Sequence, residues 1–251
     1  MTRSKVKIAR TSWEAWSIPK TIASSLRQFD EIWTFSEYDR SIFIASGLDP
    51  TKIRRVPIIV NALNIPTRDV RTEDTSASHP FTYLSIFDFQ DRKDLASLLR
   101  AFEGVASVHQ DSRLILKVNG ISTPELIKFM DGVLPQGLRQ ELLEKITIIT
   151  ENLDTSEIKD LYHRSDVFVL PSRGEGFGLP YAEAMMMSKP VIAPDKGGHM
   201  DFCSNENSYL VESGLVPVVA TSNDQLFRDC LWLEVDEESL FEKMKYSLLT
   251  G

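Results

Sequence analysis

The sequence predicts an α/β protein built on parallel strands. The main observation is that short apolar segments alternate with amphipathic segments along nearly all of the 251 residues, which is typical of strands joined by crossover helices. The second observation is an ordinary globular composition, with 42% hydrophobic and 25% charged residues. A chain of this length can bury one or two hydrophobic cores without disulfide or metal staples.

Residues 1–62 are predicted to form a partial α/β domain, because they have room for only two or three strands. Its predicted elements are a strand at 5–9, a helix at 18–29, a strand at 31–36 and a helix at 38–46. Gly47 follows the second helix and can adopt the left-handed conformation that ends a helix. Residues 63–80 contain two prolines, many small polar residues and mixed charges, which predicts a linker.

Residues 81–251 are predicted to form the larger domain. Its predicted strands lie at 81–87, 113–118, 146–150, 166–171, 190–194 and 208–212. The helix after the first strand has apolar residues at helical spacing, namely Leu95, Leu98, Leu99, Phe102 and Val105. Asp154 and Glu157 form a capping box for a helix ending near Arg164, and another helix begins at Pro180.

The acid-rich tail from Asp224 is expected to be a solvated face. It stops at Gly251 inside a helical pattern, so we expect a truncated chain.

The formal net charge of −8 opposes long-range attraction to nucleic acid, so no nucleic-acid partner is expected. Cys203 and Cys230 lack metal-ligand spacing, which predicts no metal site and a reduced compartment. No apolar stretch reaches about 18 residues and the basic N-terminus is not followed by an apolar core, so neither a membrane span nor a signal peptide is expected. We expect a cytoplasmic protein without a transmembrane segment, either free or peripheral to a membrane.

A glycine-rich loop is the most informative segment. An apolar strand leads into Gly174, Gly176 and Gly178, and a helix follows. Such a loop lets backbone approach a ligand closely, and the start of the helix attracts anions. The carboxyl ends of parallel strands are also where α/β proteins bind ligands. A tight strand-to-helix turn without a ligand explains the glycines equally well.

Two carboxylates favour a ligand. Glu175 lies in the loop and Glu183 lies one helical turn inside the helix, with seven residues between them. A carboxylate would repel a phosphate, so these two are expected to accept hydrogen bonds from sugar hydroxyls. The alternative for Glu183 is favourable charge placement near a helix N-terminus, worth about 0.3 to 1 kcal/mol.

These residues resemble the signature of retaining glycosyltransferases of family 4, which have the GT-B fold. The signature here comprises Pro171-Ser172, Glu175, Gly176-Phe177-Gly178-Leu179-Pro180 and Glu183-Ala184-Met185. Residues 87–102 are similar to the family's phosphate-binding Arg-Lys segment, and residues 29–47 to the end of its N-terminal domain. The resemblance covers most of residues 11–215. It implies that residues 81–251 are a Rossmann-like, doubly wound donor-binding domain and that residues 1–62 are part of an acceptor-side domain.

The resemblance also implies roles for individual residues. Glu175 and Lys93 are the candidate catalytic residues: Glu175 would lie against the transferred sugar, and Lys93 would neutralise the diphosphate. Glu183 would bind the donor ribose. Gly176, Phe177, Gly178 and Leu179 would contact the donor, the last two through backbone groups near the diphosphate. Cations and N–H dipoles stabilise the leaving group, so neither a metal nor another cofactor is required. On its own, Lys93 is just as well explained as a solvated residue beside a helix cap.

Two parts of the predicted site are less well defined. Many relatives carry an arginine six residues before the lysine, but this chain has Phe87, so Arg92 or Arg173 is expected to supply the second cation. The nucleobase is expected to lie beside residues 150–153, between Thr150 and Leu153. His199, which follows two glycines, is a further candidate to contact the cleft.

We therefore expect a retaining hexosyltransferase that uses a nucleoside-diphosphate sugar and a carbohydrate, lipid or protein acceptor. Because much of the acceptor side is missing, the chain would be truncated or would need a partner chain. The alternative is a non-catalytic nucleotide-sugar-binding or assembly subunit. A dinucleotide-dependent oxidoreductase is disfavoured, because no Gly-x-Gly-x-x-Gly segment follows a strand.

Overall fold

The N-terminal part of the chain forms a small parallel sheet. The computed structural model describes residues 6–60, 79–219 and 225–250. The first elements are β1 (Ile8–Arg10), α1 (Lys20–Leu26), β2 (Glu31–Thr34), α2 (Glu37–Ala45) and β3 (Ile53–Arg55), and the strands pair in the order β1-β2-β3. The predicted linker, residues 63–80, lies outside the described residues except for its last two.

The main sheet has six parallel strands. Its strands and helices are β4 (Thr82–Asp88), α3 (Leu95–Val108), β5 (Arg113–Asn119), α4 (Thr123–Val133), α5 (Gln140–Leu143), β6 (Ile146–Ile149), α6 (Thr155–Arg164), β7 (Val167–Val169), α7 (Leu179–Met186), β8 (Val191–Pro194) and β9 (Tyr209–Val211). The strand order is β6-β5-β4-β7-β8-β9. This is the doubly wound Rossmann order. All strands are parallel, but the chain adds strands on one side of β4 as far as β6 and then on the other side from β7 onward. The predicted fold class is confirmed.

Local sequence signals explain much of this sheet. All five apolar residues predicted for the inner face of α3 are buried, and Asp154 with Glu157 forms the predicted capping box of α6. The sequence prediction missed α4, although Ser122 and Glu125 form a second capping box at its start. Among the described residues, no helix combines the length and apolar character needed to cross a membrane.

The C-terminal segment connects the two sheets. It contains the antiparallel hairpin of β10 (Ser213–Pro217) and β11 (Leu231–Val235), followed by α8 (Glu237–Thr250). Trp232 belongs to the hydrophobic core of the N-terminal sheet, together with Trp13 and Ile32. Leu240 and Met244 of α8 are buried in the main core. The acidic residues of this tail that the structure describes are exposed, as the prediction of a solvated face requires, while its apolar residues pack into the two cores.

Candidate functional site

A cavity opens at the point where the strand order reverses. The carboxyl ends of β4 and β7 lie side by side there, as expected for a ligand crevice in a doubly wound sheet. We call it the loop cavity, and its volume is about 360 Å³. The main sheet and the loop after β7 form one side of it, and the N-terminal part of the chain forms the other, through Ser12, Glu14, Phe35 and Ile58.

Lys93 and Glu175 meet on the wall of the loop cavity. Lys93 ends a short 3₁₀ turn after β4 and is buried. Its ammonium donates a hydrogen bond to Glu175 Oε1, which also accepts one from Ser172 Oγ at 2.8 Å. Burial would raise the pKa of Glu175, but the charges of Lys93 and Arg92 outweigh it and hold this pKa below its ordinary value. Glu175 is therefore ionised at neutral pH.

The glycine loop, residues 172–178, fits tightly against the N-terminal part of the chain. A Cβ on Gly176 would lie 1.6 Å from Ser12 Oγ, so a larger residue would displace Ser12 from its hydrogen bond to Asp39. The Gly176 carbonyl accepts a hydrogen bond from Ser36 Oγ at 2.5 Å, and Ser36 also caps α2 by accepting from the Asp39 amide. Gly178 has a φ of +85° and directly precedes α7. The loop thus owes its path to glycines and to a contact from a distant helix.

Asp39 lies beneath this contact. It is fully buried and accepts hydrogen bonds from Ser12 Oγ at 2.9 Å, the Trp13 amide at 3.0 Å and the Phe35 amide at 3.3 Å. Burial raises the pKa of Asp39 to about 7, although these hydrogen bonds oppose the shift. Sequence inspection gave no signal for Asp39, because its burial comes from long-range packing.

Glu183 lines a second, neighbouring cavity. This Glu183 cavity has a volume of about 370 Å³ and is also lined by Leu153 and Tyr162. Ile86 lines both cavities, so Lys93 and Glu183 open onto adjoining spaces at the same sheet edge. Burial raises the pKa of Glu183, and a hydrogen bond from Tyr162 partly opposes this shift. Tyr162 was not predicted from the sequence.

The remaining predicted residues take different positions. Gly176, Phe177, Gly178 and Leu179 line the loop cavity. Arg92 Nη1 lies 3.3 Å from Glu175 Oε1, so this guanidinium reaches the cluster. Arg173 Nη2 instead pairs with Asp94 Oδ1 at 3.1 Å. Neither arginine lines either cavity. Of the two arginines expected to supply the second cation, Arg92 is the one that contacts Glu175 beside Lys93.

Two further candidates lie outside both cavities. The Thr150 hydroxyl is 2.8 Å from that of Thr123, and Thr150 lines neither cavity, unlike its predicted partner Leu153. His199 is buried, with Nε2 2.7 Å from the Pro194 carbonyl. Burial lowers the pKa of this imidazole. His199 therefore supports the fold behind the glycine loop and does not line the cleft. Within the parts of the chain that the structure describes, no group of three His, Cys, Asp or Glu residues could hold a metal ion.

Comparison with known proteins identifies relatives of this chain. A lipopolysaccharide core mannosyltransferase, LpcC of Rhizobium leguminosarum bv. viciae, is 34% identical over 84 residues, which are 34% of this chain and 23% of that protein. The chain thus matches about a quarter of this relative's length.

Two solved structures share the fold. A UDP-forming α,α-trehalose-phosphate synthase from Burkholderia xenovorans has a TM-score of 0.66 at 12% identity, over 96% of this chain and 60% of the synthase. Anabaena HepE, solved with UDP and glucose, has a TM-score of 0.62 at 17% identity, over 79% of this chain and 55% of HepE. Both support a fold of the GT-B type. The family model described as "Glycosyl transferases group 1" matches residues 68–238. This match spans more than half of the sequence, and the chain therefore belongs to the group 1 glycosyl transferases.

Proposed function

We propose that this protein binds a nucleoside-diphosphate sugar across the two adjoining cavities and transfers the sugar, a hexose, with retention of its anomeric configuration, as in glycosyltransferase family 4. The observation that carries the proposal is the placement of Lys93 and Glu175 in one cavity, with Arg92 paired to Glu175, and of Glu183 in the next cavity, at the reversal point of the sheet. Cations suit a diphosphate, and carboxylates suit sugar hydroxyls.

The donor would lie along the shared edge of the sheet. Glu183 accepts hydrogen bonds from the ribose hydroxyls, and the nucleobase lies beside Leu153. The diphosphate lies against the start of α7, where backbone N–H groups of Gly178 and Leu179 and the helix dipole favour negative charge. The transferred sugar then faces Glu175. The UDP bound to HepE and the UDP formed by the trehalose-phosphate synthase, two proteins that share the fold, support a nucleotide-containing donor for this chain.

This arrangement suits the cleavage of a sugar–diphosphate bond. As the bond between the anomeric carbon and the phosphate oxygen breaks, negative charge grows on the diphosphate and positive charge on the sugar. Lys93 is fixed before reaction by a buried hydrogen bond and Arg92 by partly buried ones, so both stabilise the leaving group without reorganising. Ionised Glu175 stabilises the positive sugar carbon. In this proposal the reaction requires no metal.

Isothermal titration calorimetry with UDP, GDP, ADP and their sugars tests the proposal. We expect at least one nucleotide to bind, and Glu183→Ala to weaken it more than about 10-fold, because the ribose loses a charged hydrogen-bond acceptor. Glu206→Ala, which removes an exposed carboxylate elsewhere, is the control. If no nucleotide binds the folded protein, or if Glu183→Ala binds as well as the unaltered chain, the proposal is wrong.

The products distinguish the proposed activity from its alternative. NMR of the product formed from a donor that binds should show the same anomeric configuration as the donor. Binding without transfer or donor hydrolysis would instead identify a non-catalytic nucleotide-sugar-binding or assembly subunit.

A further inference from the structure

Glu14 is the one charged side chain that the described N-terminal residues contribute to the loop cavity. It lies in the segment between β1 and α1, and its neighbours Trp13 and Ala15 are both buried. The Trp13 amide is anchored by Asp39, and the Trp16 amide donates to the Leu231 carbonyl at 2.8 Å. The backbone around Glu14 is therefore fixed, and its side chain faces the cavity.

This segment packs directly on the glycine loop. A Cβ on Gly174 would lie 1.9 Å from the Glu14 carbonyl oxygen. The two backbones are thus in contact, and movement of one requires movement of the other. Glu14 is therefore held at a fixed place relative to the cations of the site.

Arg92 links the two carboxylates of the cavity, Glu14 and Glu175, without lining the cavity itself. Its Nη2 lies 3.3 Å from Glu14 Oε1, while its Nη1 lies 3.3 Å from Glu175 Oε1 and donates to the Gly174 carbonyl at 3.0 Å. The Glu14 side chain is 37% exposed, compared with 8% for Glu175. A ligand entering the cavity therefore meets the Glu14 carboxylate before it can reach Arg92, which does not itself line the cavity.

The charges in this cluster cancel. Arg92 and Lys93 carry two positive charges, and Glu14 and Glu175 carry two negative charges. Removing the charge of Glu14 would give the cluster a net positive charge and would leave Arg92 Nη2 without its carboxylate partner. Because partly buried charges are weakly screened, this change should strengthen the binding of anions.

We propose that Glu14 is a positioning residue that holds Arg92 against the glycine loop and so weakens the binding of the nucleoside diphosphate left after transfer. The inference rests on the proposed function. Transfer breaks the bond to the sugar and leaves the terminal phosphate with an additional ionisable oxygen, so the product carries more negative charge than the donor. Glu14 therefore disfavours the product more than the donor and promotes its release.

Titration of Glu14→Gln with the nucleoside diphosphate that binds the unaltered chain tests this role. We expect Kd to fall about 3- to 10-fold, as for the loss of a competing ion pair of about 1 kcal/mol. The Kd of the matching nucleotide sugar should fall less, and that of the nucleoside without phosphates should stay within about 2-fold. Glu31→Gln is the matched control, because Glu31 pairs with Arg54 at 3.9 Å in the same N-terminal sheet and does not line the cavity.

A second background shows whether Arg92 carries the effect. In Arg92→Gln, adding Glu14→Gln should change Kd less than about 2-fold if the coupling runs through the guanidinium. An unchanged or higher Kd in Glu14→Gln, with Glu183-dependent nucleotide binding intact, overturns this inference alone. Absence of nucleotide binding in both the unaltered chain and Glu14→Gln overturns the proposed function as well.

Discussion

Tyr162 donates a hydrogen bond from its phenol to Glu183 Oε2 at 3.2 Å, linking α6 to α7 across the wall of the Glu183 cavity. The phenol is buried among apolar groups, and burial together with the nearby Glu183 charge raises the pKa of Tyr162 well above its ordinary value. Tyr162 is therefore a hydrogen-bond donor at every physiological pH. It positions the Glu183 carboxylate that the proposed function assigns to the ribose.

Tyr162→Phe should weaken nucleotide binding about 3- to 10-fold, because a hydrogen bond to a charged group is worth about 1.5 to 3 kcal/mol and part of it is replaced by water in the open cavity. Calorimetric titration measures this change. Tyr246→Phe, which alters an exposed tyrosine on α8, is the control. Equal affinities in the two variants would show that Tyr162 does not position Glu183.

The stability of the protein should depend on Asp39 between pH 5 and 7. Because burial raises the pKa of Asp39 from 3.8 to about 7, the folded state binds this proton more tightly than the unfolded state. Its contribution is fully present below the unfolded pKa and is lost as the pH rises through the folded pKa. Glu183, whose pKa is also raised, adds a change of the same sign.

Urea unfolding at pH 5, 6 and 7 measures this dependence. We expect the free energy of unfolding to fall by about 2 kcal/mol over this range, since one pKa unit corresponds to about 1.4 kcal/mol. Asp39→Asn, which cannot titrate, should have a much flatter profile. The same slope in both proteins would contradict a titrating Asp39.

Substitutions of Lys93 and Glu175 should affect the free energy of unfolding and the affinity for nucleotide differently. Lys93→Met removes the main counter-charge of a buried carboxylate, and we expect a loss of about 3 kcal/mol in the free energy of unfolding, with Arg92 limiting the damage. Adding Glu175→Gln removes the unpaired charge and should recover most of this loss. Nucleotide affinity should stay more than about 10-fold reduced in both variants, because the diphosphate has lost its ammonium partner.

Chemical denaturation and nucleotide titration of the two variants check this prediction together. Recovery of nucleotide affinity in the double variant would show that Lys93 serves only to neutralise Glu175. Failure to recover stability would show that the two side chains are not energetically coupled.

Gly174→Ala should destabilise the fold by about 2 to 3 kcal/mol, at the upper end of the range for overpacking. The new Cβ would lie 1.9 Å from a backbone oxygen of Glu14, which no side-chain rotation can relieve. Gly214→Ala is the matched control, because a Cβ there meets no atom within 4 Å and the backbone needs no positive φ. Thermal and urea unfolding should separate the two variants clearly, and similar midpoints would refute the close packing of the glycine loop.

Much of the main sheet was predictable from the sequence because its signals are local. The apolar spacing of α3 and the capping box of α6 each depend on residues within a few turns, and the structure has both. The capping box of α4 was equally local: Ser122 and Glu125 flank Pro124, a sequence signature of a helix start.

The site was predictable only in part, for a physical reason. Glycines and carboxylates beside a strand end point to a cleft, so the loop residues and Glu183 could be proposed from spacing and family resemblance. Glu14 and Tyr162 reach the two cavities, and Asp39 reaches the glycine-loop contact, through contacts that join distant parts of the chain. The position of Trp232 in the N-terminal core has the same origin. No periodicity encodes such contacts.

The participation of Phe227, Cys230 and Trp232 in the core of the N-terminal sheet has a consequence for biosynthesis. Residues 9–53 leave the ribosome long before residues 227–232 are made, so the first segment emerges without the side chains that complete its core. Domains usually fold as they appear, from the N-terminal end onward. In this chain we expect the reverse order: the central Rossmann-like unit can fold before Trp232 completes the core around Trp13 and Ile32.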